Sequence, residues 1–277
     1  MDKILGVDYS HWQSGVDPQK LLDGGVSFAL VKMGEYVSGY EKRADKDPYY
    51  EDEYYVKNML ALEKAGIPHG SYFFYHPKVG NSKQLRHFEA LYKKCNHDFP
   101  PILDCEADDG MFRWAYDTET AQEIARQILV MLEGMKDISG RQPIIYTTAS
   151  WWSYYAGDPD YGRDYPFWLA QYNVKMDRWT AKIKDNIIMW QFTDKIKISG
   201  CPAMDGNWWM GTDEQFREFT QTSIAPEEIV EPSEVNNIIA RHDVIEITKI
   251  AENRIKKNIF ALSKANRRWI EENLGRV

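Results

Sequence analysis

The sequence predicts an α/β protein whose mostly parallel sheet closes into a barrel. Short apolar runs alternate with longer polar stretches of helical periodicity, the mark of βα units. Eight such runs fall within roughly 210 residues, as in a closed barrel, with an open doubly wound sheet as the alternative. No GxGxxG and no GxxxxGKS or GxxxxGKT follows any of them, so nucleotide binding has no support.

The candidate strands, in order, are residues 4–8, 28–33, 69–75, 101–106, 144–147, 167–172, 187–192 and a short piece at 203–205. Helical patterns lie between the early ones. Residues 54–65 stop at Gly66-Ile67-Pro68, a helix-ending signal. Residues 81–94 follow the third strand. Residues 118–135 carry Ile124, Ile128, Leu129 and Leu132 on one helical face. After Thr148 the intervening helices look short or absent, so the last strands are joined irregularly.

The expected boundary separates the barrel, 1–222, from a helical C-terminal segment, 223–277. Ser223 to Glu228 reads as a linker and Pro232-Ser233-Glu234 as a helix start. Ile255, Ile259, Leu262 and Trp269 form a short seam that Asn266 interrupts. Acids cluster early in this segment and bases late. The readings are a hairpin packed on itself, a coiled-coil homo-oligomer, or a basic helix contacting anionic wall polymers or lipid.

The net charge is −8, and residues 225–277 hold nine basic and nine acidic residues, so the first 224 carry all of it. An acidic body argues against nucleic acid as partner. Three cysteines with no CxxC or His-rich spacing suggest neither a disulfide framework nor zinc. No cofactor and no metal are expected. No run reaches the roughly 18 apolar residues of a membrane span. The apolar run Ile4-Leu5-Gly6-Val7 is too short for a signal peptide core, so synthesis in a bacterial cytoplasm is expected. Aromatic residues make up 14%, including 10 Trp and 17 Tyr, a stock that serves cores and also sugar stacking.

The chemistry centres on PPILDCEADDG, residues 100–110. In a strand, residues two apart share a face, so Asp104 and Glu106 point one way and Cys105 the other. Their spacing of about 6.6 Å lets one charge hinder ionisation of the other, which suits a general acid. A solvated pair at a strand end is the plainer alternative. Asp8 and Asp205 also end apolar runs, and singly each reads as a turn residue. In a parallel barrel all strand C-termini open on one face, where these four acids converge.

GVDYSHWQSGVD resembles the opening of glycoside hydrolase family 25 lysozymes. FALVKMGE, AGIPHGSYFFYHP, PILDCEAD, PIIYTTASWW, FWLAQYN, MWQFTD and MDGNWWMG are similar to later family elements in the same order, over roughly residues 3–215. The resemblance implies a modified TIM-like (β/α)5(β)3 barrel. It implies cleavage of the β-1,4 bond between N-acetylmuramic acid and N-acetylglucosamine in peptidoglycan glycan strands. Glu106 is then the general acid, Asp104 orients the substrate N-acetyl group, and Asp8 and Asp205 complete the acidic floor. Lys32, Tyr72 and Tyr146 match groove positions, and Trp168 and Trp190 are candidate sugar-contacting aromatics. Phe73 stands where the family commonly has His, which puts that sugar contact in question. The expected setting is a phage endolysin acting on the cell wall. The alternatives are a non-catalytic glycan-binding module on the same barrel and a hydrolase of another N-acetylhexosamine polymer.

Overall fold

The computed structural model of the protein describes residues 4–37, 47–77, 79–106, 121–172 and 183–220. The strands are β1 (Leu5–Tyr9), β2 (Val26–Tyr36), β3 (Tyr49–Glu51), β4 (His69–Phe74), β5 (Ile102–Cys105), β6 (Ile144–Thr148), β7 (Phe167–Ala170), β8 (Ile187–Ile196) and β9 (Met204–Trp209). The helices are α1 (Pro18–Asp23), α2 (Tyr55–Ala65), α3 (Asn81–Tyr92), α4 (Ala121–Ser139), α5 (Ala149–Tyr155) and α6 (Asp213–Thr220).

The sheet order is β1-β9-β8-β7-β6-β5-β4-β2-β3, and a β1–β2 pairing closes eight of the nine strands into a barrel. From β1 round to β8 the barrel neighbours are parallel. β9 runs antiparallel to both β8 and β1. Helices follow β1, β2, β4, β5 and β6; among the described residues a 3-10 turn at Asp160–Asp164 precedes β7 and another at Lys184–Asn186 precedes β8. This is the expected (β/α)5(β)3 arrangement. All eight expected strands are present. β2 extends to Tyr36 and β9 to Trp209, beyond the expected ends. β3, paired antiparallel with the end of β2, was not expected.

Local signals explain the helix limits. Asp17 caps α1 by accepting from the Gln19 N–H, and Pro18 opens the helix. α2 ends at Gly66, whose φ of +69° is the left-handed cap that glycine adopts without steric cost. Thr148 ends β6 and caps α5 through the Trp151 N–H at 3.1 Å. α4 runs four residues past its expected end, burying Ile124, Ile128, Met131, Leu132 and Met135.

Strand alternation builds two cores. Val7, Val31, Phe73, Leu103, Ile145 and Leu169 point outward and pack beneath the helices. Phe28, Leu30, Ile102, Ile144, Trp168 and Met189 point inward and fill the barrel. Phe99 and, from α6, Phe216 plug the base, with Phe216 ring-to-ring with Phe28 at 5.7 Å and Trp209 at 5.4 Å. Gly6 makes room for this plug, since a Cβ there would lie 2.1 Å from the Phe28 ring. The described residues all belong to one unit, Met1–Ile224. The helical segment expected at 223–277, with its possible oligomer or wall-polymer contact, lies outside the described residues.

Candidate active site

Each of the eight barrel strands sends at least one polar or aromatic side chain into the same mouth. These include Asp8 (β1), Lys32 (β2), Tyr72 (β4), Asp104 (β5), Tyr146 (β6), Trp168 (β7), Gln191 (β8) and Asp205 (β9). Glu106 follows β5 by one residue and joins them around a cavity of about 200 Å³. Because β9 runs antiparallel, its first residues, not its last, face this mouth. Asp205 therefore pairs across from Asp8.

The period of two sorts the expected residues. Asp104 lines the cavity while Cys105 is buried in the outer core. Asp8, Asp205, Lys32, Tyr72, Tyr146 and Trp168 are all brought together as expected. Trp190 is not. On β8 the inward positions are Met189 and Gln191, so Trp190 faces outward and donates its indole N–H to the Gln171 carbonyl at 2.9 Å. The Phe73 question also resolves. Its ring points into the outer core against His87 and Phe88, away from the cavity.

Gln191, which the sequence reading passed over, is the hub. Its Nε2 donates to Asp8 Oδ2 at 2.9 Å and to Asp205 Oδ2 at 3.2 Å. Its Oε1 accepts from the Tyr146 hydroxyl at 2.9 Å and the Tyr172 hydroxyl at 2.6 Å. Asn207 gives Asp8 Oδ2 a second donor at 2.7 Å and accepts the Trp168 indole N–H at 2.7 Å. On the other wall, Lys32 Nζ donates to Glu35 Oε1 at 2.6 Å, and His76 Nε2 donates to Glu35 Oε2 at 2.7 Å.

Burial dominates the electrostatics. It pushes the Asp8 carboxyl well above the usual range, and the nearby Asp205 charge adds to this against the bonds from Asn207 and Gln191. Burial and then Asp194 bring Asp205 up to about 6. Asp104 is raised by burial and by Glu106, with the Lys32 ammonium pulling the other way. Burial therefore favours the neutral forms of Asp8, Asp104 and Asp205, the direction of shift that proton-donating carboxyls need. Burial raises Glu35, but His76 and Lys32 outweigh it and bring the carboxyl down to about 2, so it stays a counter-ion. Burial, then the carboxylate charges, raise Tyr72 and Tyr146, which keep their hydroxyl protons.

One atom stands apart. Asp104 Oδ1 is buried and has no hydrogen-bond partner among the described residues, an arrangement that costs stability unless a ligand or water supplies the missing contact. Among the described residues no three His, Cys, Asp or Glu side chains are placed to hold a metal ion.

Comparison with known proteins gives concordant results. The family model for glycosyl hydrolases family 25 matches residues 7–201. The uncharacterized protein YegX of Escherichia coli K12 is 28% identical over 226 residues, 78% of this chain and 73% of that protein. Lysozyme M1 of Streptomyces globisporus is 28% identical over 176 residues, 62% of this chain and 55% of its own. In fold, a bacterial lysozyme from Streptomyces coelicolor superposes with a TM-score of 0.66 at 23% identity, covering 79% of this chain and 98% of that one. With the family model spanning most of the barrel that carries the acidic mouth, the chain belongs to glycosyl hydrolase family 25 and is a glycoside hydrolase.

Proposed function

We propose that the protein is an N-acetylmuramidase, cutting the β-1,4 bond between N-acetylmuramic acid and N-acetylglucosamine in peptidoglycan. The observation that carries the mechanism is the unpartnered, buried Asp104 Oδ1, on the cavity side of the strand that leads to Glu106. A 2-acetamido group offers the N–H that this oxygen lacks. Asp104 then aims the acetamido oxygen at the anomeric carbon.

In the proposed reaction that oxygen attacks the anomeric carbon as the glycosidic bond breaks. The leaving oxygen takes the proton of Glu106. The positive charge that spreads over the acetamido group is met by Asp104. Water then attacks the anomeric carbon and gives its proton to Glu106, and the acetamido group is restored. Two displacements give net retention. Asp8 and Asp205, held by Gln191, form the acidic floor beneath the sugar. Lys32 and Tyr72 are donors toward its oxygens, the Tyr146 hydroxyl, whose proton goes to Gln191, presents an acceptor, and Trp168 faces its ring.

Digestion of purified peptidoglycan tests the reading. New muramic acid reducing ends are expected; glucosamine ends, or none, would defeat it. Glu106→Gln should abolish cleavage. NMR of the early product should show retained configuration, and clean inversion would remove the acetamido route. Deployment as a phage endolysin belongs to the same proposal. Cells of a susceptible host expressing the chain should stay turbid until chloroform opens the membrane, then clear; clearing without chloroform would point to an exported autolysin.

A further inference from the structure

The sheet has a ninth strand that barrel closure does not use. β3 pairs with the end of β2 from Gly34↔Glu51 to Tyr36↔Tyr49. The approach depends on Gly34, where φ is +156° and a Cβ would lie 2.2 Å from the Tyr50 carbonyl oxygen. His87 on α3 donates from Nε2 to that same carbonyl at 2.8 Å, tying β3 down from its other side.

What β3 holds is the loop after β1. Asp52, just past the strand and 2% exposed, accepts at Oδ2 from the His11 backbone N–H and from His11 Nδ1, both at 2.9 Å. The Tyr50 hydroxyl lies 3.2 Å from the same ring nitrogen. The imidazole fixed in this way backs the indole of Trp12, with ring centroids 4.5 Å apart. Trp12 is 81% exposed, the most exposed large apolar side chain among the described residues, and it lines the mouth that Asp8 and Glu106 also line.

A single exposed aromatic is ordinary. This one is held from behind by a buried carboxylate, at the rim of a cavity too small for a glycan. About 200 Å³ is less than the roughly 300 Å³ at which pockets begin to enclose a whole small ligand. The rest of a polymeric substrate must lie on open surface, and among the described residues that line this mouth the Trp12 indole is the most exposed apolar group.

We infer that Trp12, braced by His11, Asp52 and β3, is a stacking platform for the pyranose ring of the N-acetylhexosamine unit next to the one in the cavity. The inference rests on the reading of the substrate as a β-1,4 glycan. The C–H face of the ring lies flat on the indole while its hydroxyls stay in water. Discrimination is therefore by chain length, not by sugar substituents.

Calorimetric titration with N-acetylglucosamine and its β-1,4-linked two-unit oligomer tests this, using Glu106→Gln protein so that no probe is cut. The two-unit oligomer should bind about threefold to tenfold more tightly than the single sugar, the range an aromatic stacking contact gives. Trp12→Ala should erase that ratio and Trp12→Phe should keep most of it, with melting temperatures matching the parent. A ratio that survives Trp12→Ala, or no ratio in the parent, overturns the platform. The peptidoglycan digest separates the two readings. Absent muramic acid ends defeat the muramidase assignment without touching the length ratio, whereas muramic acid ends with no length ratio defeat the platform alone.

Discussion

Replacing Gln191 by Met keeps the side-chain volume and removes four hydrogen bonds from the floor of the site. The cost follows from who is left behind. The Tyr146 hydroxyl is buried and loses its acceptor, which costs about 1–3 kcal/mol. Asp8 loses one of two donors to Oδ2 but keeps Asn207, so its loss is about 1 kcal/mol. Asp205 and Tyr172 are partly exposed and turn to water, adding little. The sum is about 2–4 kcal/mol, which for a barrel of this size lowers the melting temperature by about 4–16 °C. The loss should be slightly larger at pH 8 than at pH 5, because the Asp205 carboxyl, brought up to about 6, has more need of the Gln191 donor once ionised. Thermal unfolding followed by circular dichroism at the two pH values is the assay. A drop below about 2 °C at both, or a larger drop at pH 5, would refute the view that Gln191 satisfies and organises this floor.

Asp205→Asn tests the sign of a single carboxyl. Its native value of about 6 lies above the unfolded one, so it stabilises the fold below about pH 4 and that contribution disappears as pH rises through 6. The shift corresponds to at most about 3 kcal/mol, nearer about 1–2 after solvent screening, and denaturant titrations from pH 4 to 8 should show a flatter profile for the variant. Asp104→Asn should lower kcat at least about 100-fold while leaving melting temperature unchanged or raised, since it replaces a buried, unpartnered carboxyl oxygen; unaltered turnover would remove Asp104 from the mechanism. Trp168→Phe should cost about 1–3 kcal/mol in urea unfolding by orphaning the Asn207 carbonyl, and a loss under about 0.5 kcal/mol would show that bond to be dispensable.

The eight barrel strands and their carboxylates were legible because each strand is a short apolar run with an acid or aromatic at its mouth end, and the period of two then assigns the faces. Trp190 shows where this failed. Both neighbours on β8 pair with register shifts, near Phe167/Trp168 and at Gln191/Thr193. The residue that faces inward is then set by pairing and not by residue type, and an indole drew attention from the amide beside it. A signal was present: Met189 and Gln191 share parity, and the apolar member marks the barrel side. α1 and β3, at six and three residues, are too short for periodicity to register. β3 further depends on an approach at Gly34 that no local pattern announces. Gln191 and Asn207 carry no charge, so a search for titratable residues passes over the two side chains that hold the acids in place.

Closure of the barrel joins Leu5 to Trp208, residues near opposite ends of the described chain. A nascent chain ending before residue 204 already contains Asp8, Asp104 and Glu106, yet has no Asp205, no Asn207 and no partner for the free edges of β1 and β8. Such a chain is an open sheet, prone to edge pairing with its neighbours. The closed mouth therefore forms only after the ribosome has delivered the last strand. Long sequence separation makes that step slow relative to local folding. The antiparallel final strand is thus the piece that both closes the sheet and completes the acidic mouth.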